Sequence, residues 1–385
     1  MEHYRAPMLK IVLRLLLFLI ISIPSCGYNT KWQTEMVDGE NSSVGQYTHL
    51  ALDSNDNPHI SYYDEENKVI KYAAKDSSGW NIETVDSTGS YGVLALDSND
   101  IVHISYSDSS NKYLKYGYRD STGWHMEIVD EGESLLKNSI AVDANDQPHI
   151  IYVNSIQNVS GYAQEQYYYK DELKYAYKDS AGWHIETVES TEWQSHILYP
   201  SLVLDSYNNP HMSFYFYTSL WPHSRPGVGS FLYAHKQSAE WIIESINADT
   251  VGGAGYNAIA VDSQNNIYIS FYRGTYQDAQ KLNLRYAYKN IAGWNIKTID
   301  SAMDVGKYNS IALDSHNDPA ISYYDGYNRD LKYAFENAFG WHLKTVDSIG
   351  EVGRFTSMVV DSNGNPRISY YDESNKDLKY AYLGN

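Results

Sequence analysis

The sequence predicts an all-β fold: a seven-bladed β-propeller of four-stranded antiparallel blades, the ring closed by the N-terminal strand completing the last blade. Three observations predict it. One unit recurs seven times, each unit holds four short runs in the two-residue period of a strand, and no segment after the first 25 residues keeps helical periodicity for a dozen residues. Four strands in a unit of about 45 residues is the arithmetic of a propeller blade.

Two landmarks define the unit. The first is a Trp that usually follows Gly, at Trp32, Trp80, Trp124, Trp183, Trp241, Trp294 and Trp341, with intervals of 48, 44, 59, 58, 53 and 47 residues. The second is the phrase "LKYA", present as "IKYAAK" (70–75), "LKYGYR" (114–119), "LKYAYK" (173–178), "LYAHK" (232–236), "LRYAYK" (284–289), "LKYAFE" (331–336) and "LKYAYL" (378–383). In the first full unit the four runs are "HLALD" (49–53), "HISYYD" (59–64), "VIKYAAK" (69–75) and "WNIETVD" (80–86), here types A, B, C and D. Turn-forming residues separate them.

The ends of the chain specify closure. It opens on a D-type run, "WQTEMVD" (32–38), and finishes on A, B and C runs without a D. Pairing the first run with the last removes the open sheet edges that an unclosed array would expose. Each A run also carries a small residue, Ala51, Ala95, Ala141, Ala260 or Ala312, with Val203 and Val359 in the other two, as inner strands crowded round an axis require.

The most regular phrase, "LALDSNDNPHISYYDEENK" (50–68), spaces its acids and amides like a calcium loop. The spacing fails for calcium: the sixth position from Asp53 is Pro58 where a calcium loop needs Gly, and strand B would carry Asp64 roughly 20 Å from Asp53. Asp and Asn here read as turn residues that bond local backbone and tolerate left-handed conformations. The recurring His59, His103, His149 and His211 read as packing residues at a strand start. Asp64, Asp108, Asp325 and Asp372, in repeated "YD-x-x-N-K/R" turns, read as tying their own turns. No metal and no cofactor is expected.

The first 25 residues carry Arg5, Lys10 and Arg14 around "IVLRLLLFLIISI", an apolar run too short to span a bilayer comfortably, so residues 1–25 read as a signal peptide, 26–31 as a short linker and 32–385 as one propeller domain. The run ends on "IPSC", which resembles a bacterial lipobox. The resemblance implies that Cys26, the one Cys in the chain, is lipidated and anchors an extracytoplasmic protein to a membrane. Without residues 1–25 the formal charge moves from −19 to −21, and such a surface repels nucleic acid and polyanionic sugars at long range. The 38 Tyr residues favour strands and suit wet rims that contact sugar or protein.

The C–D turns "KDSSGW", "RDSTGW" and "KDSAGW" resemble the Asp-box of sialidase-like propellers, Ser-x-Asp-x-Gly-x-x-Trp, with residues missing between Gly and Trp. The Asp-box is a structural turn, so the resemblance implies architecture rather than activity. The whole repeat is also similar to the propellers grouped with fucose-binding lectins, where sugars lie between blades against aromatic and Arg side chains.

Function is expected where the repeat breaks, since variable loops on a rigid frame generally carry binding groups. In a propeller the B–C and D–A loops share one face. Two B–C loops are expanded, 153–172 and 215–230, with the D–A loop 189–200 between them and 272–280 beyond. They offer Tyr167, Tyr168, Tyr169, Trp193, His196, Tyr217, Trp221, His223 and Arg225, with Arg273 and Tyr276 added by the fifth unit. Aromatic faces with one or two Arg suit a sugar ring or a protein hot spot.

Enzyme signatures of the HExxH, GxSxG and P-loop kinds are missing from the sequence. The expectation is a monomeric, non-catalytic, lectin-like binding module for a glycan. The alternatives are a carbohydrate-active enzyme on the same loops and a scaffold for a surface protein. A lyase resembling some seven-bladed lyases would use His196 or His223 as base and Arg225 to neutralise a uronate. A glycosidase would draw its two carboxylates from Glu165, Asp171 and Glu192, which nothing in the sequence pairs.

Overall fold

The computed structural model describes residues 31–39, 43–160, 166–192, 195–218, 228–246, 255–275, 278–290 and 292–384. These hold 28 strands, β1 to β28, and no helix. Five sheets are four-stranded and antiparallel, and the remaining eight strands form one larger sheet. Cys26 and the apolar run before it lie outside the described residues.

The first full unit shows how the sequence builds a sheet. Runs A to D become β2 (Val44–Leu52), β3 (Pro58–Asp64), β4 (Val69–Asp76) and β5 (Gly79–Asp86), paired in that order. The expected A strand begins at residue 49, whereas β2 begins five residues earlier. Register shifts between Val44 and Gln46 and between Gln46 and His49 mark bulges, and a bulge breaks the alternation from which the strand was read. Gly45 makes the bulge with φ of 105°; a Cβ there would lie 2.7 Å from the Leu378 Cα.

The first-strand position of the seven units is held by β2, β6 (Ser90–Leu96), β10 (Leu135–Val142), β14 (Ser195–Leu204), β18 (Asn257–Val261), β22 (Val305–Leu313) and β26 (Val352–Val360). Each packs on the next, and β26 packs on β2. The D-type N-terminal strand β1 (Trp32–Asp38) pairs with β28 (Asp377–Leu383), Trp32 opposite Leu383, and completes the last sheet.

Burial follows the same order. The hydrophobic clusters each join one unit to the next, as Ile70 and Tyr72 do with Ile104 and Tyr106, and one joins Leu50, Ile60 and Tyr62 to Leu378 and Tyr380 at opposite ends of the chain. Buried Ser hydroxyls bond across these junctions. Ser105 Oγ donates to Asn138 Oδ1 (2.5 Å), Ser213 to Asn257 (2.5 Å) and Ser270 to Asn309 (2.6 Å).

The Trp landmarks work at the outer edge of the same junctions. Trp183 Nε1 donates to Glu127 Oε2 at 3.0 Å while its ring meets Tyr116 edge-on at 5.2 Å, so one side chain ties two units by contact and by hydrogen bond. Trp124 and Trp241 repeat the pattern on Glu83 and Tyr72, and on Glu186 and Tyr175.

The "DSNDN" phrase is a turn and a clasp. Asp53 Oδ1 accepts from the backbone N–H of Asn55 and Asn57 (2.9 and 2.8 Å), and Oδ2 accepts from the Asn57 amide (2.8 Å). Asp100, in the left-handed region at φ of 61°, accepts from Ser54 of the preceding unit through both oxygens (2.8 and 2.6 Å). Asp56 does the same for Ser362, 306 residues away. Asp64, Asp108, Asp325 and Asp372 each bind the Asn three residues on, which ties their own turns. His59, His103, His149 and His211 each bridge a Tyr hydroxyl and stand 3.4–3.7 Å from the Asp of the A–B turn, a packing role.

Two expectations about the loops change. Segment 153–172 is largely strand: β11 (Pro148–Ser160) and β12 (Gln166–Asp179) stay paired out to Ser160 opposite Gln166, because its β-branched and Tyr residues continue the ladder. A parallel bridge from Lys170 to Ser195 then fuses the third and fourth units into the eight-stranded sheet. Segments 215–230 and 272–280 also enter strands at both ends, in β15 (Pro210–Thr218), β16 (Val228–Gln237), β19 (Ile267–Thr275) and β20 (Asp278–Asn290).

Candidate functional site

One residue at φ between 47° and 63° recurs in all seven units, at a register shift of the first strand in six and immediately before β18 in the fifth: Tyr47, Tyr91, Lys137, Tyr199, Tyr256, Tyr308 and Phe355. Large side chains seldom adopt this conformation, and such residues persist only where the surroundings hold them. Six of the seven are aromatic.

All seven line a single cavity of about 650 Å³. Ring centroids are 4.4 Å apart for Tyr47 and Tyr91, 4.5 Å for Tyr47 and Phe355, 4.6 Å for Tyr308 and Phe355, 4.4 Å for Tyr256 and Tyr308, and 4.5 Å for Tyr199 and Tyr256. Neighbouring planes are inclined by 41–57°. The rings therefore stand like the vanes of an iris, and Lys137 takes the place between Tyr199 and Tyr91. Burial, with the neighbouring phenols adding, pushes the Tyr47 and Tyr256 hydroxyls well above their ordinary pKa.

Two residues further along, the wall is polar in five units, with Val93 and Ala258 in the other two. Ser139, Ser201, Ser310 and Ser357 line the cavity, and their Oγ atoms accept the backbone N–H of Leu202, Ile259, Met358 and Leu50 respectively (3.1–3.4 Å). Each hydroxyl hydrogen is left over for another acceptor. His49 occupies the same level in the first unit. Its Nδ1 is buried without a hydrogen-bond partner, and burial lowers its pKa to about 4 against a backbone hydrogen bond at Leu94. Val203 and Val359 stand deeper, so the cavity is a cup with an aromatic rim, a hydroxylated wall and an apolar floor.

Among the described residues Lys137 is the one Lys or Arg lining the cup, and no Asp or Glu lines it. Its Nζ lies 3.9 Å from the Tyr199 ring centroid, a cation–π contact. Burial lowers its pKa to about 8, and Asp171 opposes that shift through space. Asp171 itself is buried, accepting from Ser155 Oγ (2.6 Å) and the Ile197 N–H (2.8 Å), with His196 Nδ1 at 3.5 Å.

Asp171 thus joins the cup to the loop residues read from sequence. Tyr169, 39% exposed, has its ring 6.1 Å from that of His196. Those two are brought together. Arg273 is buried within β19 opposite Asn283 rather than carried on an exposed loop. Tyr167 is paired with Val159 in the extended hairpin, and its side chain lies outside the described residues, as do Trp193, Trp221, His223, Arg225 and Tyr276 in full. Of the three acids offered for glycosidase chemistry, Asp171 has its oxygens occupied as above.

The rim was not anticipated, although a signal exists. Tyr47, Tyr91, Lys137, Tyr199, Tyr256, Tyr308 and Phe355 each stand four residues before the small residue of their A strand, from Ala51 through Val359.

No family model matches this chain, and no curated protein matches it. Solved structures do. A protein of unknown function from Dyadobacter fermentans aligns over 91% of this chain and 98% of its own at 8% identity, with a TM-score of 0.53. The polysaccharide lyase Uly1 aligns over 88% and 89% at 8% identity, with a TM-score of 0.56. A GH93 α-L-arabinofuranosidase of Fusarium graminearum, solved with arabinobiose, aligns over 91% and 96% at 9% identity, with a TM-score of 0.51. At these identities the similarity is one of fold, and the fold is propeller-like.

Proposed function

We propose that this chain is a seven-bladed propeller closed by its N-terminal strand, and that it acts as a glycan-binding module through the axial cup. The observation that carries the binding reading is the iris of six aromatic rings around one cavity of about 650 Å³. Sugar C–H faces pack on aromatic rings while hydroxyls need partners, and the four Ser hydroxyls below the rim supply them. The volume falls within the range of small-ligand sites. Tyr169 and His196, linked to Lys137 through Asp171, extend the site toward the loop face, where Trp193, Trp221, His223, Arg225 and Tyr276 are further candidates.

The inclination of 41–57° between adjacent rings supports the sevenfold arrangement, since one-seventh of a circle is about 51°. The solved lyase and arabinofuranosidase, whose titles name glycan-active proteins, are compatible with a sugar ligand. Lipidation at Cys26 and an extracytoplasmic place on a membrane remain part of this reading on the strength of the sequence.

The test is a glycan array with the protein lacking residues 1–25. Tyr256→Leu keeps apolar bulk and removes one ring face; retention should weaken about tenfold, as the loss of one stacking partner does. Trp193→Ala and Trp221→Ala measure what the loops add. If no glycan is retained by the unaltered protein, the binding reading fails.

A second reading is favoured by Asp171, which stands 3.5 Å from His196 Nδ1 and acts through space on Lys137, relating a base to a cation. A lyase would use His196 to remove a proton next to a uronate and the cation to neutralise the carboxylate. Ultraviolet-absorbing unsaturated products, lost in His196→Ala, would establish it.

A further inference from the structure

The rim repeats one design in six units and departs from it in one. Lys137 has the bulge geometry of its aromatic counterparts, with φ of 47°, and lines the same cavity. Among the described residues its Nζ forms no ion pair; it rests on the face of Tyr199, and Asp171 acts on it through space only. A seventh aromatic would have completed the iris without desolvating a charge.

The chemistry of the wall points the same way. The Ser139, Ser201, Ser310 and Ser357 oxygens already accept backbone N–H groups, so these residues offer hydrogens to the cup. The side-chain oxygens of Asn138, Asn257 and Asn309 are engaged by Ser105, Ser213 and Ser270 of the preceding unit, and their amide nitrogens by the carbonyls of Tyr91, Tyr199 and Tyr256. Among the described residues the lining therefore presents the four Ser hydrogens and one ammonium, with its side-chain acceptors limited to neutral groups such as the phenols and His49, and no carboxylate, in a chain whose formal charge is −19.

Resting on the glycan reading above, we infer that the sugar unit seated in the cup carries an oxyanion, a carboxylate or a sulfate, and that Lys137 selects it. The acidic surface repels a chain with charge on every residue, whereas one enclosed ammonium attracts one charge at close range. The preferred ligand is accordingly a glycan with an acidic end unit and a neutral remainder.

The experiment uses the protein lacking residues 1–25 and four immobilised probes: a neutral oligosaccharide, the same oligosaccharide ending in a uronic acid, the same ending in a sulfated sugar, and heparin as a polyanion. The acid-ended probes should be retained about tenfold or more better than the neutral one, as one charge-assisted hydrogen bond provides, and heparin should not be retained. The two acidic arms separate carboxylate from sulfate. Lys137→Met should bring retention of the acid-ended probes down to that of the neutral probe, and Lys137→Arg should preserve the preference. Equal retention of neutral and acid-ended probes, a preference that survives Lys137→Met, or strong capture by heparin would each overturn the inference. Failure of every probe would instead overturn the glycan reading, and the inference would fall with it.

Discussion

The ammonium of Lys137 lies 3.9 Å from the centre of the Tyr199 ring, within an otherwise aromatic rim. That placement disfavours the charge. Burial holds the pKa near 8 rather than at 10.5, so the folded state bears a desolvation penalty at neutral pH.

Lys137→Phe should therefore stabilise the protein at pH 7 by about 3 kcal/mol. The sign follows from the lowered pKa: below pH 8 the penalty is fully present, and it fades as pH rises toward 10.5 and both states lose the proton. Thermal melts of the two proteins from pH 7 to 10.5 should converge; a constant gap would show that packing rather than charge is responsible.

His49 should make the protein acid-sensitive. Its pKa falls from 6.5 to about 4 on folding, so the unfolded chain takes up a proton that the folded one refuses. Stability is then lost as pH falls from 6.5 toward 4, by about 3 kcal/mol for this group alone. His59, His103, His149 and His211, also lowered by burial, act in the same direction. His49→Val, which installs the residue found at the matching Val93, should flatten the profile of denaturation midpoint against pH across that interval.

The buried Ser–Asn links should be costly to halve. Ser213→Ala leaves the Asn257 carbonyl oxygen without its 2.5 Å donor in a buried site, a loss of about 1–3 kcal/mol. A double-mutant cycle with Asn257→Ala, followed by urea denaturation, should return a coupling of about 1 kcal/mol; additive effects would mean the two side chains act separately.

Trp183→Phe should remove the bond to Glu127 while keeping most of the contact on Tyr116, for about 1 kcal/mol, and Trp183→Ala should cost about 2–3 kcal/mol. Equal losses in the two variants would assign the whole effect to the hydrogen bond.

The scaffold was legible because each element repeats a local rule. Asp53 binds its own turn, Pro58 opens a strand, and Trp80 and its counterparts recur at blade-length intervals, so pattern and packing agree. The cup was illegible for the opposite reason. Tyr47 sits on a bulge at positive φ, where the two-residue alternation fails, so the first A strand was read as starting after it, and its counterparts share that backbone conformation. The loop sector was half visible: its departure from the repeat drew attention to Tyr169 and His196, whose rings lie 6.1 Å apart. That Asp171 would couple them to Lys137 depended on the Lys170–Ser195 bridge, a pairing between units that no local pattern encodes.

The antiparallel pairing of β1 with β28 also sets a direction. Leu378 lies near the end of the last sheet where Asp372 meets Val352, the rim end, and Leu383 lies at the other, with Trp32 beside it. Trp32, and with it the start of β1, therefore lies at the end of the sheet away from the rim, so the two ends of β1 mark the two faces of the ring of sheets.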